Sequence, residues 1–580
     1  MDRQLRPEER ISRLGDGSAH SEPGLNRRRF MAGLVLSGAA ASAALLAACG
    51  NANVSNNATN TASVRNTPVT GVSSTANAAA SVGSTTRGTG SAPTSAQQPA
   101  GNPVKGGTLT IAETTDVDSF DPFYQVENNF TTMRGFTDTL VRYNEKLDPQ
   151  PELAESWQLA PDAKSITLKL RQGVKFHSGR EMTADDVLFS LKHVQDKATG
   201  SQLIDLFQPI TGATATDKNT VTFTFNQPYV AVFDALDAFF VLDSTAATDL
   251  KKQPAGSGPF ILADRTPGDR VVLKRFDGYW KQGQPYLDQV IHRAIPDEAS
   301  LVASLKAGEV DLVWKPPLQQ FQQLKSQSGI KTDPGLIGVS GVDIAMNVTK
   351  KPFDDKRVRQ AINWATDRAQ WVKTILYDAS PISDLPFPPY STGYFDDLAL
   401  QYTYNLDKAK QLLADAGYSS GLKIAAITSG QQWPTSVALA QILQASLAQI
   451  GVQLTLQNLD PAAFYDRDHA STFDMMFHVY GRANKEPVTL FGGAIVWRPK
   501  NNVTLFSLPQ YTDLIARANA ELDGAKRKDL YRQIDQIILD DCWTISAGFQ
   551  PQPWAMRQRV QNFAFDRQGI PLLDQMWIGQ

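Results

Sequence analysis

The sequence predicts an α/β fold, and three observations carry that reading. Short runs alternate apolar with polar residues, as at Leu109 and Ile111, at Ile166, Leu168 and Leu170, and at Val221, Phe223 and Phe225, the period of half-buried strands. Between them lie runs with helical spacing, each behind a capping residue. Near Ile450 and Gly451 a helical run passes directly into the alternating Val452, Leu454 and Leu456, the helix-to-strand order of an α/β layer. No internal repeat is detectable.

The chain opens with a leader. Arg27, Arg28, Arg29, Phe30 and Met31 precede an Ala/Leu/Gly-rich run that ends at Leu46, Ala47, Ala48, Cys49 and Gly50. A basic patch, a short apolar run and small residues before a cysteine form a secretory signal rather than a span, which needs about 20 apolar residues. Small residues directly before Cys49 follow the lipoprotein pattern, in which the thiol takes a diacylglyceryl group and tethers the mature chain to a membrane. The arginine pair followed by Phe30 and Met31 is similar to a twin-arginine export signal; a plain basic leader is the alternative. The protein is therefore expected outside the cytoplasm, in the periplasm or at the cell surface, anchored through Cys49.

Gly50 to Val104 has no aromatic and no acidic residue, and Arg65 and Arg87 are its only charges. Such a segment forms no core, and as a flexible coil it spaces the body on the order of 40 Å from the lipid; its Ser/Thr content also suits a glycosylated stalk. The body, Lys105 to Gln580, is long enough for two or three lobes with a cleft between them. Without the first 48 residues it carries 49 basic and 54 acidic side chains, a net charge of −5, and this balance gives no reason to propose nucleic-acid binding. With Cys49 lipidated, Cys542 has no disulfide partner.

Within the body, strands begin at Gly107 to Ala112. After the Gly173 turn, Thr183 and Asp186 form a near capping box, with Asp in place of Glu or Gln, for a helix presenting Val187, Leu191 and Val194 on one face. Asp355 caps a helix with Val358, Ala361, Ile362 and Ala365. Asp407 caps another with Ala409, Leu412, Leu413 and Ala416, ending at Gly417.

Catalytic motifs are missing. Gly-x-Ser-x-Gly, His-Glu-x-x-His, Cys-x-x-Cys and Gly-Lys do not occur, so the hydrolase elbow, the zinc-protease helix, the thiol redox pair and the phosphate loop are excluded. The six histidines lie scattered, with no pair spaced as two metal ligands on one helix face. The pairs Asp185–Asp186 and Asp540–Asp541 read as capping and solvated positions, since adjacent helical residues do not face each other. No enzyme activity, cofactor or metal is expected, and a secreted hydrolase would need groups that converge only in three dimensions.

Particular runs add a resemblance. Pro151 to Trp157, Leu170 to Gly179, Thr183 to Val187, Gly256 to Phe260, Pro285 to Asp288, Lys306 to Asp311, Pro352 to Asp355, Arg357 to Asp367 and Ala409 to Tyr418 closely resemble, in order, the bacterial extracellular solute-binding proteins of family five. These are the oligopeptide-, dipeptide- and nickel-binding components of ABC importers. The resemblance implies a type II periplasmic-binding fold, two α/β lobes around a ligand cleft with an extra β-rich subdomain in the first lobe. It places the parts as 1–48 signal, 49–104 lipidated cysteine and tether, 105–345 first lobe, 346–546 second lobe and 547–580 return to the first, with crossings near Val342 to Asn347 and Thr544 to Phe549. It further implies, as partners, a peptide or other small solute and a permease with separate ATPase subunits, for a monomer that closes on its ligand.

In that family a carboxylate before proline, shortly after Gly-Trp, commonly holds the peptide ammonium. The corresponding stretch here is Tyr480, Gly481, Arg482, Ala483, Asn484, Lys485, Glu486 and Pro487. Glu486 keeps the carboxylate with one more methylene, while Lys485 and Arg482 add positive charge that opposes a cationic terminus or pairs with Glu486 internally. Glu486 is thus the expected amine partner, Arg482 a candidate for a ligand carboxylate, and Tyr480, Trp433, Trp497, Phe123 and Tyr124 the candidate cavity walls, each equally readable as core. The alternatives are a non-peptide solute, such as an oligosaccharide, an opine-like compound or a nickel complex, and ligand sensing in place of uptake.

Overall fold

Three larger sheets hold the strands that the alternating runs predict. The structure is a computed structural model and describes residues 102–124, 129–144, 146–481 and 486–579. The leader, Cys49, the tether to residue 101 and Arg482 lie outside the described residues.

The first lobe is built on a seven-stranded sheet in the order Ile330–Asp333, Trp554–Arg557, Leu312–Trp314, Thr108–Glu113, Gln289–Ala294, Arg270–Arg275 and Phe260–Thr266. Thr108–Glu113 runs parallel to both of its neighbours. Leu109, Ile111, Leu273, Val290 and Leu312 fill one face. Ala112 and Val313 meet Leu301, Leu305 and Leu324 of two helices on the other, so the central strands are covered on both sides.

The β-rich subdomain is an antiparallel sheet ordered Ala154–Leu159, Ser165–Leu170, Thr220–Phe225 and Ile210–Asp217. Helix Ala184–Gln195 adds Val187, Leu191 and Val194 to its core. The second lobe has a five-stranded sheet in the order Val452–Asn458, Leu422–Thr428, Met475–Gly481, Ser340–Met346 and Thr544–Phe549. Leu422–Thr428 is parallel to both neighbours, whereas Ser340–Met346 is antiparallel to both of its own. This sheet takes strands only from 340–549, where the sequence reading set the lobe at 346–546, and the chain passes between the two lobes at 334–339 and 550–553.

Local signals hold with two differences. Asp355 caps Lys356–Ala365 by accepting from Arg357 N at 2.8 Å, and Thr183 N donates to Asp186 at 2.9 Å. The cap of Leu406–Asp415 is Asn405, which accepts from Lys408 N at 2.9 Å, and Asp407 sits inside the first turn; the extended backbone at Asn405 brings its short amide back over the orphan N–H groups. Asp186, expected to be solvated, is buried, accepting from Arg180 Nη1 at 3.0 Å and Ser244 Oγ at 2.7 Å.

The runs that carry the resemblance do structural work. A Cβ on Gly258 would lie 2.5 Å from the Phe136 carbonyl carbon and one on Gly256 would lie 2.0 Å from its oxygen, so only glycine lets this loop cross helix Phe130–Phe136. His177 Nε2 bonds Gly258 O at 3.0 Å. Asp311 accepts from Thr110 N at 3.0 Å and Arg559 Nε at 2.6 Å, tying three segments of the sheet together.

His292 stands in the middle of this sheet, 3% exposed, with no partner for either ring nitrogen among the described residues. Burial pushes its pKa from 6.5 down to about 3. The unfolded imidazole therefore takes up its proton first, so this residue's contribution is intact above pH 6.5 and erodes as pH falls toward 3, at about 1.4 kcal/mol per pH unit. His292→Leu is expected to flatten that part of the stability–pH curve, measured by urea unfolding at intervals from pH 7 to pH 4; an unchanged slope would rule the residue out as its source.

Candidate functional site

A cavity of about 1010 Å³ is lined from both lobes. The first lobe contributes Phe130 and Lys315 to Leu318, together with Arg567 and Gln568; the subdomain contributes Ser201 to Leu206. The second lobe contributes Trp433, Tyr465, Asp468, His478 to Gly481 and Arg498, and the passages between lobes add Val339, Ser340 and Gln550 to Pro553. A cleft walled by the linking segments changes shape when those segments bend.

Contacts also join the two lobes directly. Arg498 Nη2 lies 2.7 Å from Asp205, Gln322 Nε2 donates to Tyr377 O at 2.8 Å, and Glu486 N donates to Asp234 Oδ2 at 3.2 Å. Asp234 also accepts from Tyr143 OH at 2.8 Å. Burial, and secondarily the charge of Glu486, pushes the Asp234 carboxyl up to about 7.

The nominated residues divide. Trp433 and Tyr480 border the cavity. Trp433 opens helix Pro434–Ala448 and meets the His478 ring edge-on at 5.2 Å. The Tyr480 ring crosses the backbone of Gly341, where a Cβ would lie 2.2 Å from Cζ, and its hydroxyl donates to Pro386 O at 3.0 Å. Trp497 and Phe123 are core. Trp497 is fully buried between Tyr480 and Trp543, at 6.1 and 5.7 Å between ring centroids, and Phe123 packs among Phe207, Phe239 and Phe240. Tyr124 packs on Gly200 and does not border the cavity.

Glu486 is placed away from the cavity lining, with its carboxylate turned into the second lobe. It accepts from Tyr531 OH at 2.9 Å, from Arg527 Nε and Nη2 at 3.3 Å each, and from Thr392 Oγ1 at 3.3 Å. The extra methylene lets the carboxylate reach helix Gly524–Asp541, where Arg527 and Tyr531 stand one turn apart. Its charge is thereby satisfied without a ligand.

Sequence reasoning did not nominate Tyr465, Asp468, His478 or Arg498. Tyr465 and Asp468 are three residues apart on helix Pro461–His469, a spacing that puts both on one face; that was the only available signal. Among the described residues no group of three His, Cys, Asp or Glu side chains is placed to hold a metal ion, and no helix is long and apolar enough to cross a membrane.

The family model for bacterial extracellular solute-binding proteins, family 5 Middle, matches residues 148–495. The chain is 28% identical over 465 residues to heme-binding protein A of Haemophilus influenzae, covering 72% of this chain and 83% of that protein. It is 29% identical over 461 residues to the dipeptide-binding protein of Escherichia coli, covering 72% and 84%. A solved structure of the periplasmic binding protein DppA from Helicobacter pylori, in complex with peptide STSA, superposes with a TM-score of 0.70 at 26% identity, covering 82% of this chain and 99% of that one.

Proposed function

The chain belongs to the bacterial extracellular solute-binding proteins of family 5, and from that premise we propose that it captures short peptides and hands them to an ABC permease. The fold is of the type II periplasmic-binding class, and the chain is an extracytoplasmic solute-binding component of an ABC importer. The peptide ligand, the lipid anchor at Cys49 and the monomeric state are our reading.

One observation carries the ligand class. The cavity of about 1010 Å³ lies at the upper end of the range of about 300–1,000 Å³ for ligand pockets, which suits an extended peptide of a few residues better than a single small metabolite. Its walls combine the aromatic residues Trp433, Tyr465 and Tyr480 with polar residues such as Gln432 and Arg498, and the linking segments add Val339 and Gln550 to Pro553. A ligand that bridges the lobes favours the closed form by the contacts it makes only there. Arg498–Asp205 and Glu486–Asp234 are contacts between the lobes that such a closure would use.

A non-peptide solute is favoured by one fact: Glu486, the residue corresponding to the amine partner, is already neutralised by Arg527. Native mass spectrometry of the purified full chain, compared with the denatured protein, separates the readings. A heterogeneous set of co-purified peptide masses is the expected result, and one discrete non-peptide mass would overturn it.

A further inference from the structure

We propose that Asp468, which lines the cavity together with Trp433 and Tyr465, forms a cation subsite in the second lobe's wall of the cleft and takes an ammonium or guanidinium group of the bound solute. The assignment rests on the reading of this cleft as the ligand site and deepens it by naming a charge the ligand carries.

Asp468 is the penultimate residue of helix Pro461–His469. It borders the cavity yet is 1% exposed, and its Oδ1 has no hydrogen-bond partner among the described residues. Behind it in the sheet lie Asp343, fully buried with both carboxylate oxygens unpartnered, and His478, which also borders the cavity. His478 Nδ1 stands 3.8 Å from Asp343 Oδ1, beyond hydrogen-bond distance.

The charge state of this cluster follows from its surroundings. Burial, and then the neighbouring Asp468, raises the Asp343 carboxyl well above its ordinary range. Burial lowers His478 to about 4 and raises Asp468 only to about 6, with His469 opposing the rise. At neutral pH His478 is uncharged and Asp468 is ionised. No lysine or arginine among the described residues pairs with Asp468. A buried carboxylate without a counter-charge is costly, and a ligand cation removes that cost only when bound.

The two rings fit the same ligand. Trp433 and Tyr465 both border the cavity with ring centroids 6.1 Å apart and nearly perpendicular, and aromatic faces attract desolvated cations. A metal ion is a poor match, because Asp468 stands in no group of three ligating side chains among the described residues.

The test is isothermal titration of the full chain and its Asp468→Asn variant with Ala-Lys-Ala and with the uncharged N-acetyl-Ala-norleucine-Ala amide. Wild type is expected to favour the cationic peptide at least tenfold and the variant less than twofold. An equal preference in both proteins, or none in wild type, would overturn the subsite. The variant is expected to keep or gain thermal stability without ligand, since it loses an unpaired buried charge; Asp468→Ser serves as a second variant should the amide not fold. If neither peptide binds wild type, millimolar n-butylammonium decides. A raised Tm in wild type alone would keep the subsite and overturn the peptide reading, and no shift would overturn the subsite.

Discussion

Glu486→Ala is expected to lower the unfolding free energy by about 3–5 kcal/mol, the range for removing one partner of a buried ion pair. The substitution takes the carboxylate from the Arg527 guanidinium, which is 16% exposed and keeps only backbone acceptors such as Glu521 O at 2.9 Å, and removes the acceptor of the buried Tyr531 hydroxyl. Glu486→Gln keeps the shape and an acceptor oxygen, so its cost is expected to be smaller, about 1–3 kcal/mol. Urea unfolding without ligand measures both. Ligand affinity of the folded variants is expected to stay within about twofold of wild type, because the carboxylate faces Arg527 and not the cavity. A large loss of affinity at unchanged stability would return Glu486 to the role of amine partner.

Trp497→Ala carries the second large effect, a loss of about 3–5 kcal/mol. The ring is fully buried, edge-on to Trp543, which in turn stacks on Phe506 at 4.0 Å with an interplanar angle of 2°. Trp543 Nε1 donates to Val496 O at 3.1 Å, fixing the cluster in orientation, so the space left by Trp497 does not readily refill. Thermal or urea unfolding reads the loss, and a cost below about 1 kcal/mol would show that the cluster can collapse into the gap.

These two residues show what the sequence made legible. The α/β architecture was readable because alternation at Ile166 to Leu170 and helical spacing at Val358 to Ala365 are local properties, and the same runs form Ser165–Leu170 and Lys356–Ala365. The runs shared with the family could be read as fold because Gly256, Gly258 and Asp311 join segments far apart in the chain. The cleft was only partly readable. Trp433 and Trp497 are the same residue type, and the packing of neighbours from elsewhere makes one a wall and the other core. For Glu486, the decisive partners lie 41 and 45 residues onward, a separation at which no local pattern reports the pairing. Asp468 escaped notice because a lone aspartate near a helix end ordinarily reads as a solvated charge.

The order of strands in the first lobe bears on how the molecule is assembled. Trp554–Arg557 is an interior strand, inserted between Ile330–Asp333 and Leu312–Trp314, with Trp554 packed on Trp314 at 5.7 Å. The second lobe's sheet, by contrast, draws on one continuous stretch of chain. During synthesis that sheet has all its strands before the first lobe's sheet has its own, and until Trp554–Arg557 emerges the edges of Leu312–Trp314 and Ile330–Asp333 remain open to pairing with other chains. A protein truncated shortly before Trp554 would thus retain one finished lobe and one with a gap inside its sheet, and strand Trp554–Arg557 is the closing piece of the fold.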